Sequence, residues 1–210
     1  MTAFNPSRSE LRTIQKRRKA VIQTMVVLVL PLLAVFDGLA DPASLQRQGI
    51  ELFGLFLVVV GILGRAWSAL YIGGRKSREL VVSGPYSVSR NPLYLFSFIA
   101  IGGVGAQTGS VVVALLFVLG SWLVFHPVIS HEEDLLRYLF PDQYGRYAAR
   151  VPRLMPDLSR WSDIARLDID PRLYRKTVLD SLVLLAAVLP IRLLALLHAN
   201  EILPVWLRLP

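Results

Sequence analysis

The chain has 210 residues, 54% of them hydrophobic and 18% charged, with a mean hydropathy of +0.51. That balance excludes an ordinary soluble domain and fits a membrane protein. There is no cysteine, and only three histidines occur (His126, His131, His198), so disulfides are excluded and no metal site is expected.

A helix needs about 20 apolar residues to cross ~30 Å of hydrocarbon. Five spans are predicted in chain order: residues 20–36, with Pro31 as a kink, then 52–72, 92–106, 109–129 and 178–198. The fold class is therefore all-α, a single polytopic domain over 1–210 with no internal repeat. The 92–106 span is short, and Gly105–Gly109 (GAQTG) allows only a tight reversal, so the third and fourth spans form a helical hairpin. Gly102, Gly103 and Ala106 would let it pack closely on a neighbour. A cleaved signal peptide competes for the first span, given its basic arm and the GLAD junction at Gly38–Asp41. The length of the apolar run and the charge count favour a retained span.

The formal charge of +8 is unevenly spread. Six Lys or Arg precede the first span, four lie in 73–90 and nine in 130–177, whereas the alternate connections hold only Arg47 and Arg208. Positive-inside places the N-terminus and segments 73–91 and 130–177 in the cytoplasm. The expected surroundings are membrane lipid and no nucleic acid, most simply a bacterial inner membrane.

Two polar clusters flank the hairpin: SGPYSVSRNPLY (Ser83–Tyr94) and SHEEDLLRYLFPDQYGRYAARVPRLMP (Ser130–Pro156). Charge is costly in a bilayer, so charge gathered at both ends of one hairpin points to a site. Gly84-Pro85-Tyr86 is a turn signal. Pro92 suits the first turn of a helix, which puts Arg90, Asn91 and Tyr94 at a helix entrance. The alternative is that Arg90 contacts lipid phosphate and Tyr86 and Tyr94 belong to an interfacial aromatic belt.

In the second cluster, Ser130-x-x-Glu133 reads as a capping box, and Glu133 is four residues from Arg137. Glu133 thus has a structural explanation. Glu132 lacks one, and its negative charge suits a cationic ligand. Tyr138, Tyr144 and Tyr147 follow, interleaved with Arg146, Arg150 and Arg153. The two prolines of Val151–Pro156 suggest an extended strap. Most of these arginines, Arg160, Arg166, Arg172 and Arg175 above all, fit an anionic leaflet. Arg65, inside the second span, either snorkels or has a partner in the bundle. Nothing near Arg192 suggests a site.

GPYSVSRNPLY followed by EEDLLRYLFPDQYGRYAARVPRLMP resembles the isoprenylcysteine carboxyl methyltransferase and phospholipid methyltransferase superfamily of integral membrane enzymes. That family pairs G-P-Y…R-H-P-x-Y with a later E-E-x-x-L…F-G-x-x-Y-x-x-Y…P-R-x-x-P. The likeness covers roughly residues 60–156. Asn91 stands where the family usually has His, and cannot act as a base near neutral pH. Pro141 stands where the family often has Gly.

The resemblance implies S-adenosylmethionine (SAM) as methyl donor, held without a Rossmann fold, and a lipophilic acceptor arriving from the bilayer. It implies a donor site of Tyr86, Arg90, Asn91, Pro92, Tyr94, Glu132, Glu133, Tyr144 and Tyr147, with Arg153 and Glu132 as the catalytic pair. The acceptor nucleophile, whether carboxylate, amine or thiol, stays open. So do two other functions, an NADPH-dependent reductase of the sterol reductase type and a non-catalytic lipid-binding protein.

Overall fold

Ser44 accepts a hydrogen bond from the Arg47 backbone N–H and opens a helix, α1 (Leu45–Ile72), that runs 28 residues, or roughly 42 Å. In the computed structural model, residues 36–38, 44–73, 79–167, 169–205 and 207–209 are described. The predicted first span at 20–36 lies outside them, save Phe36.

After α1 come the one-turn α2 (Pro85–Val88), α3 (Pro92–Ala106), α4 (Val111–Leu139), α5 (Pro141–Arg150), α6 (Pro171–Ala186) and α7 (Val188–Ala199). A 3-10 turn at Leu158–Arg160 interrupts the stretch between α5 and α6. Two three-residue strands, β1 (Phe36–Gly38) and β2 (Leu207–Leu209), pair in parallel. Among the described residues they are the one departure from an all-helical architecture.

Among the described residues, three helical stretches are long and apolar enough to cross a membrane: Leu45–Ile72, Val111–Leu139 and Tyr174–Ala199, the last joining α6 to α7. The expected boundaries shift. The 52–72 span begins at Leu45, the 109–129 span continues to Leu139, and the 178–198 span starts within a helix that opens at Pro171. The 92–106 helix keeps its bounds. At 15 residues it reaches about 22 Å, short of the hydrocarbon thickness.

Small residues explain how α3 docks. A Cβ on Gly61 would lie 2.5 Å from the Ala100 Cβ, and one on Gly103 would lie 2.4 Å from the Gly54 carbonyl oxygen. Backbones therefore touch along the α1–α3 seam, as small residues permit in membranes. The GAQTG reversal is a tight turn, with Gly109 at φ +75 and Ser110 capping α4 through the Val113 N–H at 3.1 Å. Val58, Val104, Val113, Val188 and Ile191 close the core from four helices.

Three arginines within the bundle have partners there. Arg65 donates to Ser181 of α6 at 2.9 Å and also to Ser97 of α3. It has hydrogen-bond partners inside the bundle. At the opposite end Arg47, 2% exposed, pairs with Glu51 at 3.1 Å, and Arg192 of α7 bonds the other Glu51 oxygen.

Replacing Gly61 with Leu is expected to overpack the α1–α3 seam and destabilise the fold by about 1–3 kcal/mol or more. Gly120→Ala, with nothing within 4 Å, is expected to be silent. Thermal denaturation of both variants in detergent checks the contrast.

Candidate active site

Alpha4 carries the centre of the site. It runs unbroken through Pro127 and Ser130 for 29 residues, roughly 44 Å, so its last turns project beyond a ~30 Å hydrocarbon layer. Ser130 is consequently no cap. It sits mid-helix, and its hydroxyl bonds back to the His126 carbonyl at 3.1 Å. The expected capping box is absent, and so is the Glu133–Arg137 pair: Arg137 bonds Asp134 at 2.8 Å on the exposed face. Glu133 points inward, 8% exposed.

The two polar clusters meet on that carboxylate. Asn91, at the start of α3, donates from Nδ2 to Glu133 Oε1 at 2.8 Å and to the Arg153 carbonyl at 3.1 Å. Arg90 Nε lies 3.3 Å from Glu133 Oε1, and Arg153 Nε lies 3.3 Å from Oε2. Neither Nε meets hydrogen-bond geometry, so these two contacts act through charge rather than as directed bonds. Two arginines from separate segments thus face one buried carboxylate. Removing the carboxylate would leave both cations uncompensated.

The strap after α5 is fixed by the loop between α2 and α3. Arg90 N–H donates to the Pro152 carbonyl at 2.9 Å, Ser89 Oγ to the Leu154 carbonyl at 2.9 Å, and Asp157 N–H to the Val88 carbonyl at 2.9 Å. Arg90 Nη1 also donates to the Ala148 carbonyl at 3.0 Å. Arg90 is therefore a structural keystone of the site. Further along, Gly84 N–H reaches the Ser162 carbonyl at 2.7 Å.

Alpha5 supplies an aromatic wall. Pro141 occupies its first turn, where the missing N–H costs nothing, which accounts for proline at this position. Tyr144, Tyr147 and Val151 share the buried face. Tyr147 Oη donates to the Tyr86 carbonyl at 2.8 Å and so ties α5 to α2. Tyr144 is 1% exposed, and its hydroxyl has no hydrogen-bond partner among the described residues. Arg137 lies 5.6 Å from its ring centroid.

Burial pushes the Tyr144 phenol up to about 12, helped by the Glu133 charge and opposed by Arg90, Arg137 and Arg153. Burial raises Tyr147 as well, followed by the charge of Tyr144. Tyr86 is raised by burial, then by Tyr147, Glu132 and Tyr94, with Arg65 pulling the other way. Glu132 and Arg65 therefore both act on the Tyr86 side of the site.

Of the predicted site residues, Arg90, Asn91, Glu133 and Arg153 are in direct contact. Tyr144 and Tyr147 line the same end. Tyr86 and Pro92 are buried beside it. Tyr94 is buried too, with its ring 5.6 Å from that of Phe125, so neither tyrosine belongs to an exposed aromatic belt. Glu132, expected at the centre, is half-buried one residue off the inward face. Sequence reasoning missed two α4 residues, His126 and Ser130. Their signal was the spacing 126, 130 and 133, one stripe of a continuous helix, which the assumed break at 130 concealed.

The helices long enough to span a membrane and the polar site at one bundle end define a polytopic membrane protein. The phospholipid methyltransferase family model matches residues 50–143. The nickel-cobalt-cadmium resistance protein NccN of Alcaligenes xylosoxydans xylosoxydans is 36% identical over 157 residues, 75% of this chain and 73% of that protein. The cobalt-zinc-cadmium resistance protein CzcN of Cupriavidus metallidurans is 37% identical over 128 residues, 61% of this chain and 59% of that protein. Protein-S-isoprenylcysteine O-methyltransferase B of Arabidopsis thaliana is 29% identical over 139 residues, 60% of this chain and 71% of that protein. No solved structure matches. The chain belongs to the isoprenylcysteine carboxyl methyltransferase and phospholipid methyltransferase superfamily.

Two outcomes follow from this geometry. Glu133→Ala is expected to lower stability by about 3 kcal/mol or more, whereas Arg137→Ala, whose side chain is 61% exposed, stays near wild type in the same chemical melts. Burial favours the protonated Tyr144 phenol, so its contribution is complete below the ordinary value of 10.0 and is lost as pH rises through about 12. Alkaline denaturation of Tyr144→Phe is expected to lack that part of the dependence.

Proposed function

We propose that the chain is an integral membrane methyltransferase that uses SAM and modifies a lipophilic acceptor. The observation that carries this reading is the convergence of Asn91, Arg90 and Arg153 on the buried Glu133. The residue types fit the donor. Glu133 and Glu132 offer acceptors for an ammonium group and ribose hydroxyls. Arg90 offers guanidinium N–H groups for a carboxylate. The buried Tyr144 hydroxyl, without a partner among the described residues, is a group whose hydrogen bond a ligand can complete.

When bound, the donor supplies an activated methyl group on a sulfonium. The protein's part is then alignment and exclusion of water, which for well-oriented partners is worth about 7–11 kcal/mol. Asn91 suits this chemistry, because it positions Glu133 and has no proton to exchange. Arg153 faces α4 and orients the acceptor. The polar end faces the cytoplasm on the positive-inside count, and a bacterial inner membrane agrees with the bacterial sources of NccN and CzcN.

The names of those two relatives put them in metal resistance. Methylation of a membrane component is compatible with such a role. Among the described residues, no group of three His, Cys, Asp or Glu residues is suited to hold a metal ion.

Titration calorimetry of the purified protein is expected to show SAM binding, weakened at least tenfold in Asn91→Ala and Glu133→Gln and unchanged in Arg137→Ala. Labelled methyl transfer from SAM is expected in lipid extract rather than protein. Binding of NADPH in place of SAM, or of neither, would overturn the reading.

A further inference from the structure

Alpha4 presents His126, Ser130 and Glu133 at positions i, i+4 and i+7, one stripe of a helix. All three face Arg153. Its Nη1 is 3.2 Å from His126 Nε2, its Nη2 donates to Ser130 Oγ at 2.7 Å, and its Nε is 3.3 Å from Glu133 Oε2. A guanidinium can only donate. His126 Nε2 therefore accepts, and the imidazole is neutral with its Nε2 lone pair toward Arg153. On its other side the Trp122 ring lies 4.9 Å away, and Phe98 and Phe125 continue an apolar aromatic wall. The His126–Arg153 pair stands where the charged end of the bundle meets the part of α4 that faces lipid.

Three acceptor chemistries can be weighed against that pair. An ammonium head group is repelled by Arg153 and Arg90. A carboxylate suits the guanidinium but has no proton to give up, so the neutral imidazole would have no task. A weakly acidic thiol uses both, the imidazole for its proton and the guanidinium for its anion. We propose that His126 and Arg153 form the head-group subsite of the acceptor, and that the acceptor is a lipophilic thiol which His126 deprotonates. This rests on the methyltransferase reading above.

The entering thiol replaces one contact with two. Its S–H bond breaks, the proton goes to His126 Nε2, and the thiolate pairs with Arg153. The thiolate sulfur then forms the bond to the methyl carbon that the donor sulfur relinquishes, keeping the electron pair of the broken bond on the donor. The imidazolium later returns its proton to water. The groups facing His126 that tune this step are Arg153 from the strap, Glu133 through Arg153, Ser130 from its own helix and, from α3, Tyr94 by way of Phe125. Glu133 is the anion that offsets the two cations.

The test reads the proton directly and needs no methyl donor. Decanethiol is titrated into the detergent-solubilised protein, and thiolate formation is followed by ultraviolet difference absorbance. The wild type is expected to generate thiolate. His126→Gln keeps an acceptor for Arg153 but cannot take the proton, and is expected to lose at least tenfold of the signal. SAM calorimetry on the same samples reports whether each variant is folded, and His126→Asn serves as the second variant if His126→Gln is not. No thiolate in the wild type, or equal thiolate in a folded His126 variant, overturns the proposal while SAM binding leaves the methyltransferase reading standing. No SAM binding by the wild type removes that reading, and the acceptor role of His126 with it.

Discussion

One buried carboxylate organises the functional end of this protein. Glu133 is reached by Asn91 and Arg90 from the start of α3 and by Arg153 from the strap after α5. Together with the hydrogen bonds from residues 88–90 to the strap, it ties the sequence before the hairpin to the sequence after it. Ion pairs of this kind stabilise little by themselves, because desolvation consumes most of the attraction. Their value here is specificity. The docking of the strap that satisfies the Asn91 amide and sets both guanidinium groups beside Glu133 also forms the hydrogen bonds between Val88, Ser89 and Arg90 and the strap.

The bundle supplies the frame for that end. Gly54, Gly61 and Gly103 bring α1 and α3 into backbone contact, which fixes where the short α3 begins and hence where Asn91 sits. Arg65 joins α1 to Ser97 and Ser181, and Arg192 joins α7 to Glu51. Each is a charge within an apolar helix that finds a partner on another helix, as the cost of an unpaired charge in a bilayer requires. The last helices, α6 and α7, are held at both levels of the bundle by these contacts.

Much of this was legible in the residues. The hairpin over 92–106 and the following span follows from hydropathy and from Gly105–Gly109, and the docking surface follows from Gly103 and Ala106. The strap follows from Pro152 and Pro156. That the Asn91 segment meets the acidic stretch of α4, through Glu133, follows from the charge count that puts both clusters on one side. What misled was local. Ser130-x-x-Glu133 satisfies a capping pattern, but Pro127 does not end α4, and in a continuous helix the same serine bonds back to His126. That one boundary decides which glutamate points inward. It turned Glu133 from a cap into the centre, and it hid His126 and Ser130 on the stripe facing Arg153. Arg192 was unreadable for a different reason: its partner Glu51 is 141 positions away, and no local pattern links them.

The most direct test of this account is a double-mutant cycle between Asn91→Ala and Glu133→Ala, read as unfolding free energy in detergent. Residues in contact within one network couple by about 0.5–3 kcal/mol, and independent sites add within about 0.3–0.5 kcal/mol. The account predicts coupling in the first range, with the second substitution costing little once the first is present. Strict additivity would contradict it, because the two polar segments would then not share a centre.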